Sequence, residues 1–203
     1  MKTLLLTGFK PFLDHSSNPT EKIVAQLDQE TIGGYYIQGK VLPVAFDESY
    51  QALAEAEKEI QPDAVLMLGL AAGRTNITPE RIAINIQGGA VDNKGVTPED
   101  EPIVTDGPAG YFSTLPIQAF VDALHKHQLP ATISNTAGTY LCNKVMYCML
   151  HDLEKRGSSL PAGFVHIPFS HEMSMGQSKQ PSLAYRDLEE AVRIMIKTLS
   201  EKG

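Results

Sequence analysis

AVLML at residues 64–68 reads as a strand covered on both faces, because five consecutive apolar residues show none of the polar alternation of a half-exposed strand. The same reading applies to Thr3–Thr7, a short apolar run closed by Gly8, and to Gly163–Ile167. Tyr35–Val44 alternates apolar and polar residues and predicts a further strand. Between these runs the spacing turns helical. Asn18 followed by Pro19 offers a cap and a first helical position for a helix to about Leu27. Asp47–Ile60, Pro116–Gln128, Tyr140–Lys155 and Ser182–Glu201 carry the other helical patterns. Ile82, Ile84 and Ile86 predict one face of a strand that ends at Gly88 and Gly89, and Ala131–Ser134 a short one. Asp92–Ser113, rich in Pro and Gly, reads as irregular, and the polar stretch Ser170–Gln180 leads into the last helix. Strands alternating with helices imply a single three-layer α/β/α domain with a mainly parallel, twisted sheet.

Length and charge narrow the possibilities. A chain of 203 residues with no shift in composition suits one domain spanning 1–203. A formal charge of −7, with no cluster of Lys and Arg, argues against nucleic-acid binding. No apolar run approaches the roughly 20 residues that cross a bilayer, so no membrane partner is expected. The opening MKTLLLTGFKPF has too short an apolar part for a signal peptide and reads as the first strand, which places the protein in the cytoplasm. The two cysteines, Cys142 and Cys148, fall in one predicted helix. Six residues at about 1.5 Å rise separate them by roughly 9 Å, too far for a disulfide in an unbroken helix.

Sites in open α/β sheets form beyond the carboxyl ends of the strands, which directs attention to three segments. SNTAGTYLCN, residues 134–143, leaves a short strand and brings Cys142 into the first turn of a helix. Unpaired N–H groups and the helix dipole favour a thiolate there and suit an oxyanion. The alternative is a core cysteine, the reading kept for Cys148, which lies deeper in the helix. Among six histidines, His166 lies at the carboxyl end of an apolar strand, as a base or as a buried structural imidazole. His171 is its fallback; His15, His125, His127 and His151 read as surface residues. The third segment, residues 69–85, lacks the phosphate-binding signatures GxGxxG and GxxxxGK[ST]. Its Glu80 either points into the site or is a solvated neighbour of Arg81.

Taken together, TGFKPF at 7–12, GRTNITPERIAIN at 73–85, DNKG at 92–95, GYFSTLPI at 110–117, SNTAGTYLCN at 134–143, GFVHIPF at 163–169 and PSLAYRDLEEAV at 181–192 resemble the type I pyroglutamyl peptidase family across nearly the whole chain. The resemblance implies an α/β/α fold, a Cys-His-Glu triad, no metal or cofactor, peptides with an N-terminal pyroglutamate as substrates, and a homo-oligomer, often a tetramer. Carried over by position, Cys142 is the nucleophile, His166 the base and Glu80 the third member. Phe9 and Phe12 match aromatics that enclose the pyroglutamyl ring, and Tyr140 and Leu141 its wall beside the nucleophile. Leu70 stands where the family commonly has a glutamine facing the ring, and Ala72, Leu13, Asp14 and Lys144 also depart from the usual pattern.

Overall fold

Leu4 and Leu6 pack on one side of the sheet and Leu5 on the other, so the period of a single strand already requires two covering layers. The computed structural model describes residues 1–13, 15–175 and 179–202. In chain order the elements are β1 (Lys2–Phe9), α1 (Pro19–Leu27), β2 (Thr31–Ile32), β3 (Tyr35–Leu42), α2 (Ser49–Ile60), β4 (Ala64–Leu70), β5 (Thr78–Pro79), β6 (Ile82–Ile84), β7 (Gly110–Phe112), α3 (Ile117–Lys126), α4 (Leu141–Lys155), β8 (Ala162–Ile167), β9 (Phe169–Ser170), α5 (His171–Ser174), β10 (Ser182–Leu183) and α6 (Tyr185–Lys202). The main sheet has the order β2-β3-β1-β4-β8-β5. Its four central strands are parallel, and the two-residue edges β2 and β5 run antiparallel. The expected α/β/α architecture is therefore the observed one, with antiparallel edges added.

Alternation carries through every central strand. Ala64, Leu66, Leu68, Val165 and Ile167 join Leu4 and Leu6 against α1, α3 and α6. Val65, Met67, Ala162 and Phe164 join Leu5 against α2 and α4. Each fully buried Leu, Ile or Phe contributes on the order of 1.5–3 kcal/mol of transfer free energy, which makes these two apolar layers the main support of the sheet. His166 follows Phe164 by two residues and so faces the α4 layer.

Asn18 caps α1 as expected: its side-chain oxygen accepts from the Thr20 N–H at 3.0 Å and the Thr20 hydroxyl at 2.8 Å. Gly8 does not close β1, which continues to Phe9. Its role is close approach, since a Cβ at that position would lie 2.6 Å from the Thr20 carbonyl oxygen of α1.

Other expectations are corrected. The second apolar strand ends at Leu42 rather than Val44. β6 stops at Ile84, and its buried face is that of Ala83, with Ile82 and Ile84 only partly covered. Asp92–Ser113 is not wholly irregular, because Gly110–Phe112 pairs with β6. Ala131 and Ser134 make single bridges to Ile77 and Glu80 instead of forming a strand. The C-terminal helix starts at Tyr185, after Ser182 and Leu183 have paired with Phe169 and Ser170. Within Ser170–Gln180, His171–Ser174 form a short helix, and residues 176–178 lie outside the described residues, as does Asp14.

Two histidines are not surface residues. His151 is buried, with Nδ1 bonded to the Tyr111 hydroxyl at 2.8 Å and its ring stacked on Tyr147. His15 is partly buried and packs edge-on against Phe12 and Phe169. No helix among the described residues is long and apolar enough to cross a membrane.

Candidate active site

β4 and β8 end side by side, with Gly69 paired to His166 and Leu70 to Ile167. On the far side of β8, Thr78 of β5 pairs with His166 and donates its hydroxyl to the His166 carbonyl at 3.3 Å. The imidazole backbone is thus fixed between two strands. The segment beyond β5 returns along β8, with the Glu80 N–H bonded to the Phe164 carbonyl at 2.9 Å, and this drives Glu80 inward. Its side chain is fully buried, which rules out the solvated reading.

Cys142 is the second residue of α4, whose extended N-cap residue, Tyr140, offers no side-chain hydrogen bond to the first turn. The N–H groups there remain available to a ligand. Asn143, fully buried, locks the helix start in place: Oδ1 accepts from the Ile84 N–H at 2.9 Å, and Nδ2 donates to the carbonyls of Ile84 at 2.8 Å and Ile86 at 2.9 Å. The second glycine that matters is Gly69, where a Cβ would lie 2.9 Å from the Cys142 sulfur and 2.6 Å from the Phe164 ring. Gly69→Ala is expected to destabilise the fold by about 1–3 kcal/mol through overpacking and to cut kcat by roughly 100-fold through displacement of the thiol. Thermal melts and steady-state kinetics on the purified variant check both; a fall in kcat in protein that is still fully folded at the assay temperature identifies a displaced thiol.

Cys142 and His166 line one cavity of about 370 Å³, together with Phe9, Phe12, Leu70, Tyr140 and Leu141. All the expected pocket residues therefore meet there. Phe12 and Tyr140 face each other with ring centroids 6.4 Å apart, and Phe46 braces Tyr140 edge-on at 5.3 Å. The turn that follows braces it as well, the Tyr140 hydroxyl donating to the Val91 carbonyl at 3.1 Å. That turn is organised by buried Asp92, which accepts N–H groups from Phe46, Lys94 and Val96 at 2.8, 2.8 and 2.9 Å. Burial pushes its carboxyl up, but the three N–H bonds outweigh this and hold it below the usual carboxylate range. Leu70 is buried in the wall and adds an apolar surface to the cavity.

Glu80 stands behind the cavity, its Oε1 2.6 Å from His166 Nδ1. A carboxylate only accepts, so Nδ1 carries the hydrogen and Nε2 is left as the basic nitrogen. Oε2 is buried and has no hydrogen-bond partner among the described residues. Arg74, to which the sequence reading gave no role, also donates to Oε1 at 2.6 Å and lines the cavity. The only local signal was a lone cation between a Gly/Ala loop and the glutamate. Asn18, Val44, Ala71, Ala72, Thr136, Ala137 and Gly138 complete the lining. His171, the fallback base, is exposed and bonds Ser182 instead. Both cysteines are free, and Cys148 is buried as expected.

Electrostatics correct one expectation. Burial, reinforced by the Glu80 charge, pushes the Cys142 thiol up to about 12, more than Arg74 and backbone hydrogen bonding lower it. The helix start does not win. Burial also lowers His166 below the ordinary imidazole value, and the bond to Glu80 only partly offsets this. Both shifts favour the uncharged forms of the thiol and the imidazole that line the cavity.

A thiol with an uncapped helix start around it and an oriented, uncharged imidazole on the same cavity suit acyl transfer through sulfur, the chemistry of cysteine-type hydrolases. The family model described as pyroglutamyl peptidase matches residues 1–202. A pyrrolidone-carboxylate peptidase of Oceanobacillus iheyensis is 50% identical over 97% of this chain and 98% of its own length. One from Halalkalibacterium halodurans is 52% identical over 97% and 98%. The solved structure of a pyrrolidone carboxyl peptidase from Thermococcus litoralis superposes with a TM-score of 0.95 at 40% identity, covering 99% of this chain and 94% of that one. The chain belongs to the pyroglutamyl peptidase family.

Proposed function

We propose that residues 1–203 form one catalytic domain that hydrolyses the amide bond after an N-terminal pyroglutamyl residue, with Cys142 as nucleophile, His166 as base and Glu80 as orienter. The observation that carries this reading is the 2.6 Å bond from His166 Nδ1 to buried Glu80, made behind a cavity that Cys142 and His166 both line. As the Cys142 sulfur attacks the carbonyl carbon after the ring, its proton passes to His166 Nε2. N–H groups of the first turn of α4 take up the oxyanion. The carbon–nitrogen bond then breaks, and Nε2 returns the proton to the leaving amine. Water attacks the thioester, giving up a proton to Nε2, and 5-oxoproline leaves as the thiol is reformed. Glu80 keeps the hydrogen on Nδ1 and stabilises the transient imidazolium.

The cavity suits this substrate because a compact lactam is largely apolar, and Phe9, Phe12, Leu70, Tyr140 and Leu141 present apolar or aromatic surface. A free N-terminal residue would bring a charged amine into the same walls and be rejected. The reading includes a cytoplasmic site of action, since two unpaired thiols suit a reducing compartment, and a homotetrameric assembly, as the family resemblance implies.

Release of a chromogenic amine from a pyroglutamyl amide, set against prolyl and glutamyl amides, tests the activity. The pH profile tests the base. Because burial lowers His166, Nε2 stays unprotonated below the ordinary value, and the acid limb of kcat/KM is expected below about pH 6.5. An acid limb above pH 7 would mean that another group controls the reaction.

A further inference from the structure

We infer that Arg74 is a positioning residue for this reaction, fixing the Glu80 carboxylate against His166 and fastening it to the backbone ahead of the nucleophile. Nη1 donates to Glu80 Oε1 at 2.6 Å, the oxygen that also accepts from His166 Nδ1, and to the Thr78 hydroxyl. Nη2 donates to the Thr136 carbonyl at 3.2 Å, in the loop that leads into α4. One guanidinium therefore links the β5 edge, the glutamate and the approach to Cys142.

Charge gives the arrangement its purpose. Glu80 is fully buried and its second oxygen has no partner among the described residues, so the carboxylate depends on the donors at Oε1. If His166 were the sole partner, compensation would favour the imidazolium and remove the base. Arg74 supplies a permanent cation, and Glu80 can be ionised while His166 stays neutral. Two donors on one oxygen also stop the carboxylate from rotating. The inference rests on the triad reading of the same site.

The groups facing the pair are Glu80 and Arg74 for His166, and Glu80, Arg74 and Tyr140 for the thiol. Glu80 raises both titrations and Arg74 lowers both. Replacing the cation by a neutral side chain of similar length must then move both upward.

The test is Arg74→Met beside Arg74→Lys, with kcat, KM, the pH dependence of kcat/KM, and the rate of Cys142 alkylation by iodoacetamide at one fixed pH. For Arg74→Met, kcat is expected to fall about tenfold or more with KM within about twofold. The acid limb should rise by about one pH unit, and Cys142 alkylation at fixed pH should slow by about tenfold as the thiolate fraction falls. Arg74→Lys keeps the charge and should restore the acid limb and the alkylation rate while recovering only part of kcat. Should Arg74→Met fail to fold, Arg74→Gln keeps a donor for Glu80, removes the charge and carries the same expected shifts. An unmoved acid limb and alkylation rate in the neutral variant, or a raised KM with unchanged kcat, overturn the inference. Activity surviving in Cys142→Ala would instead overturn the triad reading, so the two failures are distinguishable.

Discussion

Cys142→Ala is expected to abolish pyroglutamyl amide hydrolysis, with kcat falling on the order of 10⁶-fold, while the protein stays folded. The nucleophile has no substitute, because Cys148 is buried further along α4 and does not line the cavity. Folding should survive because the helix start is held by Asn143 and by buried Leu141, neither of which the substitution touches. Cys148→Ala should do the reverse, keeping the rate and losing roughly 1 kcal/mol of stability from a core position. Burst-phase and steady-state release of the amine, measured beside thermal melts, separate the two variants. If the losses changed places, the nucleophile would be Cys148 and the cavity would not be the site of the chemistry.

The central strands were legible because parallel strands covered on both faces need continuous apolar runs, and AVLML and GFVHI supply them. The helix starts were legible where chemistry is local, as at Asn18 and Pro19. What the sequence hid depends on contacts between distant segments. Gly8 resembled a strand end, yet its requirement is set by Thr20 across the layer. β7 was lost inside a Pro- and Gly-rich stretch, since three residues form a strand only because β6 lies beside them. His151 looked like a surface residue on an otherwise mixed helix, and Tyr111, 40 positions away, supplies the bond that lets it be buried.

The candidate site divides along the same line. Cys142 and His166 were visible because each sits at a recognisable place, a helix start and a strand's carboxyl end. Glu80 was visible only through family resemblance, because nothing adjacent to it announces that the chain turns back along β8 and buries it. Arg74 carries no such mark. The effect of burial on the thiol was also misjudged, since the dipole argument concerns the helix alone and the desolvating walls come from other elements.

His166→Ala is expected to lose nearly as much activity as Cys142→Ala, on the order of 10⁶-fold, because nucleophile and base act as a unit and their losses do not add. Among the described residues no other imidazole or carboxylate lines the cavity to take the thiol proton or protonate the leaving amine. Glu80→Gln should lose much less, and the reason is specific to this site. An amide can present either its oxygen or its nitrogen to His166, and presenting nitrogen would force the hydrogen onto Nε2, a wrong tautomer that costs about 10⁴-fold in triads of this kind. Here Arg74 also donates to the position of Oε1 and has nothing to accept with, so two donors select the amide oxygen there. The amide nitrogen then takes the place of Oε2, which bonds nothing among the described residues. The tautomer is kept, only the charge that stabilises the imidazolium is lost, and a fall of roughly 100-fold is expected. Combining Glu80→Gln with Arg74→Met removes the second donor and should deepen the loss toward the wrong-tautomer figure. Kinetics on the two single variants and the double variant decide the point, since purely additive losses would mean that Arg74 plays no part in choosing which amide atom faces the imidazole.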